Sequence, residues 1–168
     1  PLNAYGRSKA AGEEAIEASG CSYLILRTSW VYASWGSNFV VTMARLSDER
    51  RRLTVVDDQR GRPTSATYLA ERSLMLMEAD ANGIHHVTDG GECTWCDFTQ
   101  EIVSQLGRTC AVEPCTSDAF PRPAKRPAYS VLDLSRTESL IGPARPWQEN
   151  LKKVLDHLPA TVGSDRHA

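Results

Sequence analysis

The sequence predicts an α/β fold, and three observations carry that expectation. Stretches with apolar residues at helical spacing alternate along the chain with short runs rich in apolar and β-branched residues. One of those runs, at residues 23–26, is continuously apolar, as in a strand buried on both faces of a parallel sheet. The chain has 168 residues with 41% hydrophobic content, enough for one domain with a buried core.

The first helix is expected from Asn3 to Ser19, rich in Ala and Glu and stopped by Gly20. The strand at residues 23–26 follows, inside "CSYLILRTSWVY". "SNFVVTMARLSDERR" then opens on a Ser or Asn cap and carries Phe39, Val40, Met43 and Leu46 on one stripe, a second helix. "RLTVVDDQ" reads as a β-branched strand, and "GRPTSAT" as a loop into the helix "YLAERSLMLMEA". "GIHHVTD" is a further strand, ahead of a helix from Trp95 to Leu106, and "CAVEPCT" is a candidate strand. In "FPRPAKRPAYSVLDLSR" the prolines Pro121, Pro123 and Pro127 impose an extended segment. "WQENLKKVLDHL" turns Leu151, Val154, Leu155 and Leu158 inward as a last helix, and "PATVGSDRHA" is a frayed tail. The order begins on a helix, so the first strand has no earlier strand to pair with. A preceding segment is therefore expected.

Bulk properties exclude several classes. A net charge of −2 argues against an electrostatic nucleic-acid binder. No apolar run approaches the roughly 18 residues needed to cross a bilayer. Arg7, Lys9, Glu13 and Glu14 with no apolar stretch between them do not make a signal peptide, so a cytoplasmic protein is expected. The C-x-x-C at Cys93 and Cys96, with Cys110 and Cys115, has the makings of a zinc site or redox pair. Against that, Trp95, Phe98, Ile102, Val103 and Leu106 follow at helical spacing, which makes Cys93 or Thr94 a helix entry. No metal site is expected.

Tyr5 and Lys9 stand four residues apart at the head of the first helix, hence on one face. A cation beside a phenol favours the phenolate, and a tyrosine so placed can exchange a proton with a substrate oxygen. The alternative is a Lys9–Glu13 pair with Tyr5 merely packed. The bare spacing is weak; its context strengthens it.

"YGRSKAAGE", then "LILRTSWVYASWGSNFVVTMARL", "LTVVDDQRGRPTSATYLA" and the late "PAKRPAYSVLD" together resemble the extended short-chain dehydrogenase/reductase family, from Pro1 to about Leu158. The resemblance implies the C-terminal part of a Rossmann-type NAD(P)-binding fold plus a small α/β substrate-binding domain. Residues 1–35 would be a remnant of the dinucleotide-binding domain, 36–160 mainly substrate-binding, and 161–168 a tail. It implies reduction of a dTDP-linked keto sugar, dTDP-4-dehydro-L-rhamnose, by NADPH, with NADH as the alternative donor and magnesium as a further ion. Tyr5 would protonate the keto oxygen, and Lys9 would support Tyr5 and bond the nicotinamide ribose. Trp30 would pack on the sugar, and Asn38 would either touch substrate or cap the second helix. Arg62 and Arg126 would hold the diphosphate, since guanidinium forks suit phosphate oxygens. Taken alone, each of these arginines reads as a solvated surface residue, and so does the "DERRR" run.

Two departures from the family pattern stand out. The G-x-x-G-x-x-G turn that holds the dinucleotide is absent from these 168 residues, and Tyr129 stands in "RPAYS" where relatives often carry Asn. The missing N-terminal half of the same enzyme is therefore an expected partner, and an open sheet edge invites pairing, including as a homodimer. A second reading is a non-catalytic binding subunit resembling the regulatory subunit of methionine adenosyltransferase.

Overall fold

The computed structural model describes residues 3–120 and 126–159. Helix α1 (Ala4–Ala18) starts where the Asn3 side chain accepts from the Gly6 amide at 2.9 Å. It stops at Gly20, whose φ of +69° suits a residue without a Cβ. Strand β1 (Leu24–Arg27) follows, then β2 (Val31–Tyr32) and helix α2 (Phe39–Glu49). Next come β3 (Arg52–Val56), β4 (Arg60–Gly61), β5 (Thr64–Ser65) and helix α3 (Ala66–Glu78). Strands β6 (Gly83–His86) and β7 (Cys93–Thr94) lead to helix α4 (Trp95–Gln105). Strand β8 (Ala111–Cys115) and helices α5 (Ser135–Ile141) and α6 (Trp147–Leu155) complete the order.

The strands form short two-stranded ladders. β1 pairs parallel with β6, from Leu24↔Gly83 to Arg27↔His86, and β3 pairs parallel with β8. β2 pairs parallel with β5, while β4 and β7 are antiparallel. Pro114 is tolerated in β8 because that strand pairs on one side only among the described residues, so its missing N–H breaks no second ladder.

The core lies where α2, α4 and α6 meet. Val40, Ala44, Phe98, Ile102, Leu151 and Val154 are buried there, each large aliphatic contributing about 1.5–3 kcal/mol. Phe98 is its centre: it stacks on Phe39 at 5.7 Å and meets Tyr32 and Trp147 edge-on, each at 5.4 Å. A second cluster, Leu53, Val55, Cys96, Val103 and Cys110, joins α4 to β3. α6 is tied down at its entry, where Gly90 donates to the Arg145 carbonyl at 2.7 Å and accepts from the Trp147 amide at 3.0 Å. A Cβ at Gly90 would stand 2.6 Å from the Ala144 carbonyl oxygen.

Two expectations are corrected, those for β1 and for the proline-rich run. β1 is half-buried, not buried on both faces, and among the described residues it pairs on one edge only, with β6. α1 buries no residue; polar links hold it, with Tyr23 donating to Glu17 at 2.9 Å and Arg27 Nε to Glu13 at 2.9 and 3.1 Å. The run expected to be extended through Arg136 turns helical at Ser135, where Asp133 accepts from the Ser135 amide at 3.0 Å. Pro121 and Pro123 lie outside the described residues, as does all of the expected tail beyond Pro159.

Candidate active site

Helix α1 places Tyr5 and Lys9 on one open face. Tyr5 is 71% exposed, and Lys9 Nζ stands 5.7 Å from its ring centroid. Glu13, the alternative partner of Lys9, is occupied by Arg27. That ion pair holds the Glu13 carboxyl below its ordinary range, first through the Arg27 hydrogen bond. Among the described residues, the Tyr5 phenol and the Lys9 ammonium meet only each other.

Beyond β1 the chain turns through Trp30, whose φ of +47° is left-handed. A bulky residue held there costs on the order of 1–3 kcal/mol and persists only where its surroundings fix it. The fixing groups are visible. Ser29 Oγ donates to the Arg62 carbonyl at 2.7 Å, Thr64 Oγ1 to the Ser29 carbonyl at 2.6 Å, and the Thr64 amide to the Trp30 carbonyl at 3.2 Å. The Trp30 indole stacks on Trp95, with centroids 3.6 Å apart and planes 13° apart. Trp95 is the first residue of α4, secured by a capping box between Thr94 and Asp97.

Beneath this turn lies Asp89, fully buried. It accepts from Tyr32 Oη at 3.0 Å, from Asn150 Nδ2 at 2.8 Å and from the Ser65 amide at 3.2 Å. Burial pushes its carboxyl up to about 7, against the opposing pull of those donors and of Arg145. The same carboxylate raises the Tyr32 phenol further above a value that burial has already lifted. One side chain thereby joins β2, β5 and α6.

The remaining sequence candidates fall in different places. Asn38 caps α2, accepting from the Val41 amide at 3.2 Å while donating to the Ala33 and Trp35 carbonyls at 2.9 and 3.1 Å, so its amide is committed to the turn. Arg62 is half-buried, and its Nε is buried with no hydrogen-bond partner among the described residues. Arg126 is exposed on the rim of a cleft of about 1450 Å³ floored by Phe39, Met43 and Trp95. Sequence reasoning passed over three of its lining residues. Trp95 reads as one more apolar position of α4, and Arg50 and Arg52 as a solvated helix end, yet all three face this cleft. The signal for Arg52 is the period-2 alternation of β3, with Leu53 and Val55 inward.

The cysteines are all free, and burial pushes the Cys93 and Cys96 thiols up, away from the thiolate a metal would require. Among the described residues no group of three or more His, Cys, Asp or Glu side chains could hold a metal ion, so magnesium finds no support here. Among them, too, no helix is long and apolar enough to cross a membrane.

A helix leading into a parallel strand pair, with Tyr5, Lys9, Trp30 and Arg62 outside the lining of the aromatic and arginine-lined cleft, makes this an α/β chain with the element order of the short-chain dehydrogenase/reductase type. More narrowly, the chain belongs to the RmlD substrate binding domain family, which matches residues 1–160. A dTDP-4-dehydrorhamnose reductase of Sinorhizobium fredii is 38% identical, over 92% of this chain and 56% of its own. The crystal structure of a dTDP-4-dehydrorhamnose reductase from Clostridium acetobutylicum superposes with a TM-score of 0.88 at 43% identity, over 93% of this chain and 56% of that one. The Bacillus anthracis dTDP-4-dehydrorhamnose reductase, solved in complex with NADP, also gives 0.88, at 35% identity over the same shares. The chain therefore spans little more than half the length of the relatives it matches.

Proposed function

We propose that this chain forms the substrate side of an NADPH-dependent reductase that converts dTDP-4-dehydro-L-rhamnose to dTDP-L-rhamnose, with Tyr5 as proton donor. What supports the reading most directly is the open Tyr5–Lys9 face in a chain of this family. The choice of NADPH over NADH leans on the NADP complex of the Bacillus anthracis relative.

When bound, NADPH supplies the hydride that adds to the C4 carbonyl carbon. As the carbonyl electrons move onto oxygen, the Tyr5 hydroxyl gives that oxygen its proton and is left as phenolate. Lys9 places a cation over the same ring and stabilises the phenolate until solvent returns the proton. Lys9 also has donors to spare for the nicotinamide ribose. Trp30 sets an aromatic surface against the sugar, and the guanidinium groups of Arg62 and, at the cleft rim, Arg126 take the diphosphate. Asn38 holds the turn between Ala33 and α2 in place.

In this scheme residues 1–35 belong to the cofactor-binding part, 36–160 mainly to the substrate-binding part, and 161–168 to a tail. The dinucleotide end of the cofactor is held by an N-terminal half outside these 168 residues, in keeping with the absent glycine-rich turn. The enzyme works in the cytoplasm on a soluble nucleotide sugar. The test is NADPH oxidation by the full-length gene product. Oxidation that depends on dTDP-4-dehydro-L-rhamnose is expected, and a rate unaffected by the sugar would overturn the assignment. The non-catalytic binding-subunit reading has no observation in its favour, since the Tyr5–Lys9 pair is intact.

A further inference from the structure

We infer that Trp95 and Gly61 are positioning residues for the Trp30 indole, and that together they orient the sugar ring of the nucleotide-sugar substrate. The inference rests on the role proposed above for Trp30.

The indole is held from two directions. Trp95 lies flat on it at 3.6 Å, and Trp95 is itself supported by Phe39 at 4.5 Å. At Gly61 a Cβ would fall 2.6 Å from Cε2 and 2.7 Å from Cζ2 of Trp30, and 2.9 Å from Ser130 Oγ. Only glycine leaves the ring its place. These two residues are not independent. Gly61 is in β4, its partner across the antiparallel ladder is Cys93, and β7 runs through Thr94 directly into Trp95. Thr94 Oγ1 adds a bond to Asp57 Oδ1 at 2.6 Å, which anchors that strand end to the segment after β3. A single two-residue ladder therefore carries both the residue that makes room for the indole and the residue that stacks on it.

With one face covered by Trp95, the indole has a restricted surface to offer and one orientation in which to offer it. Orientation fixed before the substrate arrives removes an ordering cost from binding and sets the keto carbon at a defined distance from the reacting groups. Neither Trp95 nor Gly61 has to touch the reacting atoms for this.

The experiment uses the full-length gene product and the variants Trp95→Ala, Trp95→Phe and Gly61→Ala. Each is measured for KM and kcat with dTDP-4-dehydro-L-rhamnose and for the far-ultraviolet exciton couplet that two stacked indoles produce. Trp30–Trp95 is the only stacked tryptophan pair among the described residues, so the couplet reports this contact. Trp95→Ala and Gly61→Ala are expected to weaken or abolish the couplet and to raise KM about tenfold or more. Trp95→Phe should lose the couplet yet keep KM within about threefold of the parent, because a flat ring still supports the indole. A folded Trp95→Ala protein with no couplet and the parent KM would overturn the inference. Should that variant not fold, Gly61→Ala decides on the same readings. A parent protein that turns over no nucleotide sugar would instead bring down the proposed function, and this inference with it. Parent turnover with unchanged KM in the variants brings down this inference alone.

Discussion

Asp89 gives the fold an unusual dependence on pH. Its carboxyl is fully buried, and burial lifts it from 3.8 to about 7. Between those values the native state holds a proton that the unfolded chain has released, so the contribution of Asp89 to stability is greatest in acid and is lost as pH rises through the folded value. From about pH 5 to about pH 7 that linkage removes about 2 kcal/mol, taking 1.36 kcal/mol per pH unit for a proton held over most of the interval. His85 acts with the opposite sign: burial holds it below the usual imidazole range, so its contribution is lost as pH falls. The two effects oppose each other in the parent protein, and a variant separates them. Asp89→Asn keeps the shape; its oxygen can accept from Asn150 and Ser65 while the Tyr32 hydroxyl turns to accept from the new amide. Urea unfolding of both proteins across this pH range gives a difference in which His85 cancels. The parent is expected to lose about 2 kcal/mol relative to Asp89→Asn. A difference that stays flat, or that grows in the parent's favour as pH rises, would refute the reasoning.

Two further substitutions probe packing around the site. Gly90→Ala drives a methyl to within 2.6 Å of the Ala144 carbonyl and strains the entry to α6; a loss of about 1–3 kcal/mol in urea unfolding is expected. Thr94→Ala removes the cap of α4 and the bond to Asp57, and it should cost about 0.5–2 kcal/mol in the same assay. The couplet of the Trp30–Trp95 stack should weaken along with it.

The long elements were legible because each shows its period. α2, α4 and α6 present apolar stripes, and of the two candidates the sequence offered at each entry, Ser or Asn for α2 and Cys93 or Thr94 for α4, the observed caps are Asn38 and Thr94. β4, β5 and β7 were not legible, since two residues carry no alternation, and it is contact with Trp30 and Asp89 that makes them matter. α5 was hidden behind the prolines before it, although Asp133 two residues ahead of Ser135 is a local turn signal. At the site, the i, i+4 spacing puts Tyr5 and Lys9 on one face of α1, but it was the family resemblance around them, not the spacing, that singled them out. Trp95 was not singled out, because a residue that serves both a core stripe and a cleft looks in sequence like core alone. Asp89 had no sequence signal either; its burial comes from β2, β5 and α6 converging, elements distant in the chain.

The central claim is that Tyr5 donates the proton, and Tyr5→Phe in the full-length protein tests it most directly. Tyr5 is largely exposed and its ring remains in the variant, so folding and nucleotide-sugar binding should be unchanged. Turnover of dTDP-4-dehydro-L-rhamnose should fall by about 10²–10⁴-fold, the contribution of a positioned general acid. Turnover within a few-fold of the parent would contradict the account.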